Sequence, residues 1–414
     1  MRNLKINIPL FFIVLIILIN NNFFYIFREI NEIVNLSIVI LFIIYSYFIT
    51  IKDKDKKKNP YILNILTIIL LIITSSFAAK NSYNQPILLG IRPQRAQLVY
   101  YFSYFAIFRL IMHNKIDMQK LKKSLYIIGI LEIIIYGLFW ISNGRLTFIH
   151  MPFDYRYNSI RLRGNSLILI FLFILSLNDY LNNKNKLKNF IMLLSIFTFE
   201  LFCNQTRLLI LAYSISLLII FILWKKNLMI KMCFIPIIAV AIFMFSQTNM
   251  GKDLINSIIF DKTDSSYDIR EVGKEFYLED YKKSKIIGRG FINTQWSESV
   301  SLSKMNKNIY AVDNGIIAFL WIYGYIGIIW LIFLLGRMIS TSLNLYKKQK
   351  NYIGLIFILM NIVLSPNIIW WWWSKTYMFM SMLMLVLIEY EVRVKSERIC
   401  YEDNQRVIKY NKIT

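Results

Sequence analysis

Long apolar runs dominate this 414-residue chain and restrict it to folds that can cross a membrane. Crossing a hydrocarbon layer of about 30 Å takes roughly 20 apolar residues in a helix that rises 1.5 Å per residue. Hydrophobic residues make up 57% of the sequence, and most of them lie in runs of about this length. Because helices satisfy their backbone polar groups internally, as lipid requires, the sequence predicts an all-α, polytopic transmembrane bundle of about 12 spans.

The predicted spans divide the chain into four parts. Residues 1–246 hold the first nine spans, residues 247–314 form one large polar loop, residues 315–391 hold the last three spans, and residues 392–414 form a basic tail. We place the individual spans at residues 8–24, 33–51, 61–79, 98–112, 124–141, 166–180, 190–203, 208–224, 232–245, 315–335, 352–366 and 377–390.

Lysine-rich connections predict how the chain is oriented. They occur at residues 52–58, 115–123, 184–188, 225–231 and 347–350, and the first residues and the tail are also basic. Because basic flanks stay on the cytoplasmic side, we expect both termini in the cytoplasm and the loop 247–314 outside, in a cytoplasmic (inner) membrane protein. The formal net charge of +24 follows from this bias, so we expect membrane lipids as partners and no nucleic acid.

The short outward connections carry arginine where the cytoplasmic ones carry lysine. Lysine is sufficient to set topology, whereas the planar guanidinium can also grip phosphate oxygens through two parallel hydrogen bonds. The alternative is that these side chains reach lipid headgroups or pair with carboxylates such as Asp154 and Glu200. The arginines are Arg28, Arg92, Arg95, Arg145, Arg156, Arg161, Arg163 and Arg207. We predict that Arg161, Arg163 and Arg207, with Arg289 of the loop, bind a lipid pyrophosphate.

Other reactive residues point to no cofactor and no metal. The two histidines, His113 and His150, are predicted on opposite faces of the membrane, which argues against a histidine-based metal site or a Ser-His-Asp triad. The sequence has no glycine-rich phosphate loop of the kind that ends in Lys and Ser or Thr. Glu132 lies in the middle of a predicted span, where it serves either a proton or ion pathway or a structural role inside the bundle.

The outward loop contains a predicted helix and a predicted irregular segment. Residues 266–285 carry Ile269, Val272, Phe276 and Tyr277 at helical spacing, typical of an amphipathic helix lying over the bundle. Glycines punctuate residues 286–296, which favours a loop whose backbone approaches a ligand. Glu271 and Glu275 are candidate catalytic carboxylates in this loop.

The loop ends in DNGIIAFLWIYGYIG, residues 313–327. This segment resembles the O-antigen ligase/polymerase superfamily, whose ligases carry His-Asn, nine residues and then Gly-x-x-Gly at the outer start of a late span. The chain keeps Asn314, Gly324 and Gly327, and has Asp313 in place of the histidine. Two upstream stretches fit the family as well, RLRGNSLILIFLF at 161–173 and NQTRLLILAYSISLL at 204–218.

The resemblance implies a GT-C-like membrane glycosyltransferase, and the missing histidine favours a Wzy-type polymerase. Such an enzyme joins undecaprenyl-pyrophosphate-linked repeat units into O-antigen or capsular polysaccharide, in some systems with a chain-length regulator protein. Asp313 would then orient or deprotonate the acceptor hydroxyl, and the alternative is that it caps the helix that begins at Gly315. An O-antigen ligase, a lipid-linked oligosaccharide flippase and an ion-coupled transporter are the other functions that this sequence allows.

Overall fold

The computed structural model describes most of the chain as a bundle of helices. It describes residues 7–20, 32–53, 59–146, 151–156, 159–163, 167–224, 265–293, 295–296, 298, 311–366, 369 and 377–393. The predicted span at 232–245 and the basic tail from 394 onward lie outside these residues.

The described part of the chain consists of helices and one two-stranded hairpin. The first five helices are α1 (Ile8–Asn20), α2 (Glu32–Thr50), α3 (Ile62–Tyr83), α4 (Ile87–Met112) and α5 (Met118–Ile141). A hairpin of β1 (Phe153–Arg156) and β2 (Ser159–Leu162) follows. Next come α6 (Leu167–Leu181), α7 (Lys186–Phe199) with a π-helical turn (Glu200–Asn204), α8 (Arg207–Leu223) and α9 (Ser265–Tyr281). A 3₁₀ turn (Ala311–Asn314), α10 (Gly315–Gln349), α11 (Ile353–Leu364) and α12 (residues 377–393) complete the described part.

Several of these helices have the character of membrane spans. Among the described residues, α2, α3, α5, α10 and the stretch Lys186–Asn204 are long and apolar enough to cross a membrane, and α1, α6, α8 and α11 are shorter apolar helices. Helical membrane-span character is therefore confirmed, and these helices do not establish a count of twelve. The predicted span 98–112 is only the second half of α4. The helix begins after Pro86 and includes Arg92 and Arg95, which the prediction placed outside the span.

The interior of the bundle is formed by helices that are apolar on every side. Residues 167–177 of α6 and 378–388 of α12 are buried throughout. Helices such as α2 and α10 expose large apolar side chains, for example Phe48 and Phe333. Exposed apolar faces around an apolar interior are what a bundle surrounded by lipid requires, since lipid tails replace water as the solvent of the outer faces.

Hydrogen bonds place the ends of the helices in two groups. At one end, Tyr346 of α10 binds the carbonyl of Leu223 of α8, and Lys122 at the start of α5 lies 2.6 Å from Glu391 of α12. Because this end gathers Lys115, Lys122, Lys184 and Lys347, we call it the lysine end.

The opposite end carries the arginines. There Trp140, in the last turn of α5, donates to the carbonyl of Ile160 in β2 at 2.8 Å. Ile316 in the first turn of α10 donates to the carbonyl of Ser365, just after α11, at 3.2 Å. We call this end the arginine end, because Arg161, Arg163, Arg207 and Arg289 all lie there. The described short connections thus carry lysine at one end and arginine at the other, although Arg393 lies at the lysine end and Lys283 at the arginine end.

Candidate functional site

The first group of predicted residues lies on the β hairpin. Asp154 of β1 pairs with Arg161 of β2 in the strand register. Arg163 donates to Asp154 Oδ2 from Nε at 2.9 Å and from Nη2 at 2.6 Å, and Arg161 Nη1 lies 3.9 Å from the same oxygen. The alternative that Asp154 pairs with these arginines is therefore confirmed. Two guanidinium groups share this one carboxylate, and the Arg163 side chain is 63% exposed.

Alternation along β2 explains why these arginines face away from the core. Ile160 and Leu162 are buried, and Arg161 and Arg163 lie on the other face, as a period of two requires. The hairpin is fixed to the bundle by the Trp140 hydrogen bond to Ile160 and is closed by Arg163 N–H, which donates to the carbonyl of Pro152 at 2.8 Å. The hairpin is therefore an exception to the predicted all-α fold. The sequence analysis missed it because it treats Arg161 as the start of a span and overlooks this alternation.

A π-helical turn links the hairpin to the next arginine. Arg161 Nε donates to the carbonyl of Asn204 at 3.3 Å, and Asn204 Nδ2 donates to Glu200 Oε2 at 2.8 Å. Gln205, at φ 51°, ends the turn, and Arg207 is the first residue of α8. Glu200 is fully buried. Turns of this kind are rare and occur frequently at functional sites. Arg161 and Glu200 thus belong to one hydrogen-bonded group, and Arg207 begins the helix that follows this turn.

Arg289 lies in a second group and already has a carboxylate. Its Nε lies 3.0 Å from Asp280 Oδ2 and 3.2 Å from the hydroxyl of Tyr83, and its guanidinium carbon lies 4.6 Å from the centre of the Tyr83 ring. The side chain is only 13% exposed. The sequence predicts Arg289 in the pyrophosphate grip, and the structure instead gives it an ion pair with Asp280 of α9 and a hydrogen bond to Tyr83 of α3.

Asp280 is the centre of this second group. The hydroxyl of Tyr83 and the indole nitrogen of Trp321 both donate to its Oδ2, the latter at 3.0 Å, and Lys283 Nζ lies 2.8 Å from Oδ1. Burial acts to raise the pKa of Asp280, but the hydrogen bonds from Lys283, Trp321, Tyr83 and Arg289 outweigh it and lower the pKa from 3.8 to about 2. Asp280 therefore fastens α9 to α3 and α10 as a charged group.

Gly324 interrupts α10 beside this group, and the loop after α9 forms hydrogen bonds with the backbone groups that the interruption leaves unpaired. At φ 64° and ψ −160°, Gly324 is not helical, in a region that only glycine occupies readily. The amide groups of Tyr325 and Ile326 donate to the carbonyls of Lys285 and Ile286 at 3.0 and 3.3 Å.

The carbonyl groups on the other side of the break are bonded in return. Those of Trp321 and Ile322 accept from the amides of Arg289 and Gly290 at 2.7 and 3.1 Å. In an unbroken helix these four groups would bond to one another at i to i+4 spacing. Two hydrogen bonds within the helix are thus replaced by four hydrogen bonds between α10 and the loop. We call the segment 285–290, its bonds to α10 and the Asp280–Arg289 pair the clasp.

The glycines of the clasp are needed for close approach. A Cβ at Gly288 would lie 2.4 Å from the carbonyl oxygen of Ile322, and one at Gly290 would lie 2.2 Å from the carbonyl oxygen of Ser75 in α3. The glycine-punctuated loop is confirmed at 286–293, but what its backbone approaches is the backbone of α3 and α10. A ligand is not required to explain these glycines.

The remaining residues of the family-like segment lie where α10 begins. Asn314 is the N-cap residue of α10, is 2% exposed and makes no side-chain capping hydrogen bond. The capping alternative for Asp313 is therefore wrong, because Asp313 lies one residue earlier, half-buried in the 3₁₀ turn. Gly327 is helical, and a Cβ there would lie 2.4 Å from Cβ of Tyr323, so this glycine allows close packing.

The helix predicted at 266–285 is confirmed as α9, and it separates the candidate carboxylates. Its buried face carries Gly273, Tyr277, Asp280 and Tyr281, whereas Glu275 is exposed and Glu271 pairs with Lys274 at 2.5 Å. Val272, which the pattern assigned to the buried face, is 50% exposed. The structure therefore does not bring Glu271 or Glu275 to Asp313, and the buried carboxylate of this helix is one that the sequence analysis missed.

A signal for Asp280 was present in the sequence. It follows Tyr277 by three residues, so it continues the buried face of a helix that was already predicted there. A carboxylate at a position of that kind needs a cationic partner, and the nearby glycine loop supplies Arg289. Tyr83 and Trp321 carried no such signal, because aromatic residues are frequent in every span of this chain.

Asp313 faces the same helix from the 3₁₀ turn. The turn packs against α9, and the Asp313 charge acts on Tyr277, whose pKa is raised first by burial and then by this charge. Among the residues that the structure describes, no three His, Cys, Asp or Glu side chains come close enough to hold a metal ion together.

No family model matches the chain, and no curated protein matches it either.

Proposed function

We propose that this protein is a membrane glycosyltransferase that polymerises lipid-linked oligosaccharide repeat units. The observation that supports this most is at the arginine end, where Arg161 and Arg163 share Asp154 and Arg161 also bonds to the π-helical turn that precedes Arg207. Arginine at headgroup level with a planar, fixed geometry suits a pyrophosphate that carries a lipid. The resemblance at residues 313–327 adds the reaction class.

The chemistry needs a leaving group to be stabilised and a proton to be removed. A hydroxyl of the acceptor sugar attacks the anomeric carbon of the donor glycan, and the bond from that carbon to the pyrophosphate oxygen breaks. The pyrophosphate leaves with the bonding electrons, and the arginines stabilise its growing negative charge. The acceptor proton passes to a carboxylate, for which Asp313 is our candidate because it is half-buried at the start of α10.

The proposal revises which arginines bind the substrate. Arg289 is removed from the set, since its side chain is only 13% exposed and paired with Asp280, whereas Arg163, which also pairs with a carboxylate, is 63% exposed. Glu271 and Glu275 become weaker candidates for the base, because they lie on the exposed side of α9. The substrate-binding set is then Arg161, Arg163 and Arg207, and the donor is a glycan on undecaprenyl pyrophosphate or a lipid of the same chemistry.

Deletion of the gene in its host, followed by complementation, tests the proposal. A polymerase predicts that the deletion strain displays single repeat units and no polymer, and that the wild-type gene restores a ladder of chain lengths. Polymer that is present but unattached would indicate a ligase, and lipid-linked units retained inside the cell would indicate a flippase. Either result would overturn the proposal.

A further inference from the structure

Tyr277 carries a buried hydroxyl group that makes no hydrogen bond to the described residues around it. The residue is fully buried on α9, and its ring lies 4.7 Å from that of Trp321 and 5.4 Å from that of Phe276. Its hydroxyl makes no hydrogen bond within the part of the chain that the structure describes. A buried hydroxyl without a partner costs free energy, roughly 1–3 kcal/mol. A phenylalanine would fill nearly the same volume without that cost.

The surroundings of Tyr277 connect it to the start of α10. The helix α9 packs against both the 3₁₀ turn Ala311–Asn314 and α10. Asp313 is the charged residue in that turn, and its charge acts on the Tyr277 phenol. On its other side, the Tyr277 ring packs on Trp321, whose indole nitrogen is fixed by Asp280 at 3.0 Å. Tyr277 therefore packs on Trp321, which Asp280 holds in place, and lies on the helix that contacts the turn carrying Asp313.

We propose that Tyr277 is a positioning residue that donates a hydrogen bond to Asp313 when substrate is bound, and this rests on the proposed function. In the resting structure the hydroxyl makes no hydrogen bond to a described residue, and the turn that carries Asp313 packs against its helix. Catalytic hydrogen bonds are often long in unliganded enzymes and shorten in the substrate complex. A phenol donor would fix the orientation of the carboxylate toward the acceptor hydroxyl. The unpartnered hydroxyl lowers the stability of the resting state, and its hydrogen bond orients the carboxylate in the substrate complex.

The substitution Tyr277→Phe separates this role from a packing role. It removes one oxygen and keeps the ring, so removal of an unpartnered buried hydroxyl leaves the melting temperature unchanged or raises it. If the hydroxyl positions Asp313, kcat falls by about 10- to 100-fold, as expected for one hydrogen bond to a charged group, while KM for the lipid-linked acceptor stays the same. The assay uses the purified full-length protein and lipid-linked repeat units, with product length read on a gel.

Tyr281→Phe is the matched control. Tyr281 lies on the same face of α9, is 7% exposed, and its ring contacts Tyr325 at 5.8 Å. The same chemical change there is expected to leave kcat unchanged. In an Asp313→Asn background, Tyr277→Phe is expected to cause no further loss, because the two residues act as one unit.

Three results would contradict the inference. They are wild-type kcat in Tyr277→Phe, a fall in kcat that is matched by a fall in melting temperature, and an equal loss in Tyr281→Phe. If the wild-type protein makes polymer in the same assay, these results reject the role of Tyr277 alone. If the wild-type protein makes none, the proposed function fails together with it.

Discussion

Neutralising Asp280 is expected to open the clasp without unfolding the bundle. Asp280→Asn keeps the size of the side chain but removes the charge that binds Arg289 at 3.0 Å and Lys283 at 2.8 Å. The hydrogen bonds to Asp280 lower its pKa from 3.8 to about 2, which at 1.36 kcal/mol per pKa unit corresponds to about 2 kcal/mol of stabilisation. Asp280 is 6% exposed, so little of this is lost to screening by solvent.

Limited trypsin digestion measures this opening directly. Lys282, Lys283 and Lys285 lie in the exposed segment between α9 and Gly288, and the backbone of Lys285 is held by the clasp. When opening is fast relative to cleavage, the cleavage rate follows the population of the open form. A loss of 2 kcal/mol then raises the rate about 30-fold. Mass spectrometry of the peptides assigns the cuts to this segment.

Glu279→Gln provides the matched control for Asp280→Asn. It makes the same chemical change on the adjacent residue of α9, which is exposed. We expect cleavage of this variant at the wild-type rate. Equal cleavage rates in Asp280→Asn and Glu279→Gln at pH 7 would refute the reasoning, because they would mean that the buried ion pair contributes nothing to holding the loop.

Three further predictions follow from the clasp and from the charge pattern. Because the pKa of Asp280 is lowered from 3.8 to about 2, its stabilisation is present above pH 4 and is lost as the pH falls from about 4 towards 2. The protection factors of amides 285–290, which are hydrogen-exchange rates relative to the intrinsic rate at each pH, should therefore fall over that range in the wild-type protein but not in Asp280→Asn. Gly324→Ala should lower the melting temperature strongly, since a Cβ there meets the carbonyl oxygen of Ile286 at 2.2 Å at φ +64°, whereas Gly336→Ala in the same helix, with nothing within 4 Å, should raise it slightly. A cysteine at Ser265, with the native cysteines replaced, should react with a membrane-impermeant thiol reagent in intact cells whose outer membrane has been permeabilised, and labelling only after lysis would reject the predicted topology.

Much of the bundle could be predicted from hydropathy, because each span is a continuous apolar run that can satisfy its backbone only as a helix. The amphipathic helix α9 was predictable from its periodicity to within a few residues. The start of α4 was not, because Arg92 and Arg95 interrupt the apolar run while Pro86 still permits the helix to begin. The hairpin was missed because only four residues on each strand alternate.

The candidate site was predicted less completely than the fold. Arg161, Arg163 and Arg207 do gather at one end of the bundle, as their positions at helix ends and in outward connections indicated. Arg289 looks the same in the sequence, and its ion pair with Asp280 depends on how the segment after α9 folds back along α10. Gly324 was recognised as part of a family-like pattern, and the structure adds its physical reason, a positive φ that the loop stabilises.

The most direct test of the central claim is polymerisation by purified protein in proteoliposomes that contain lipid-linked repeat units. The wild-type protein and Arg145→Lys, an exposed arginine at the same end of the bundle, are expected to make long chains. Arg207→Lys is expected to lower the rate about 100-fold at an unchanged melting temperature, since a point charge cannot reproduce the two parallel hydrogen bonds to a pyrophosphate. Wild-type chain lengths and rates in Arg207→Lys and in Arg161→Lys would contradict the claim that these arginines bind the leaving group.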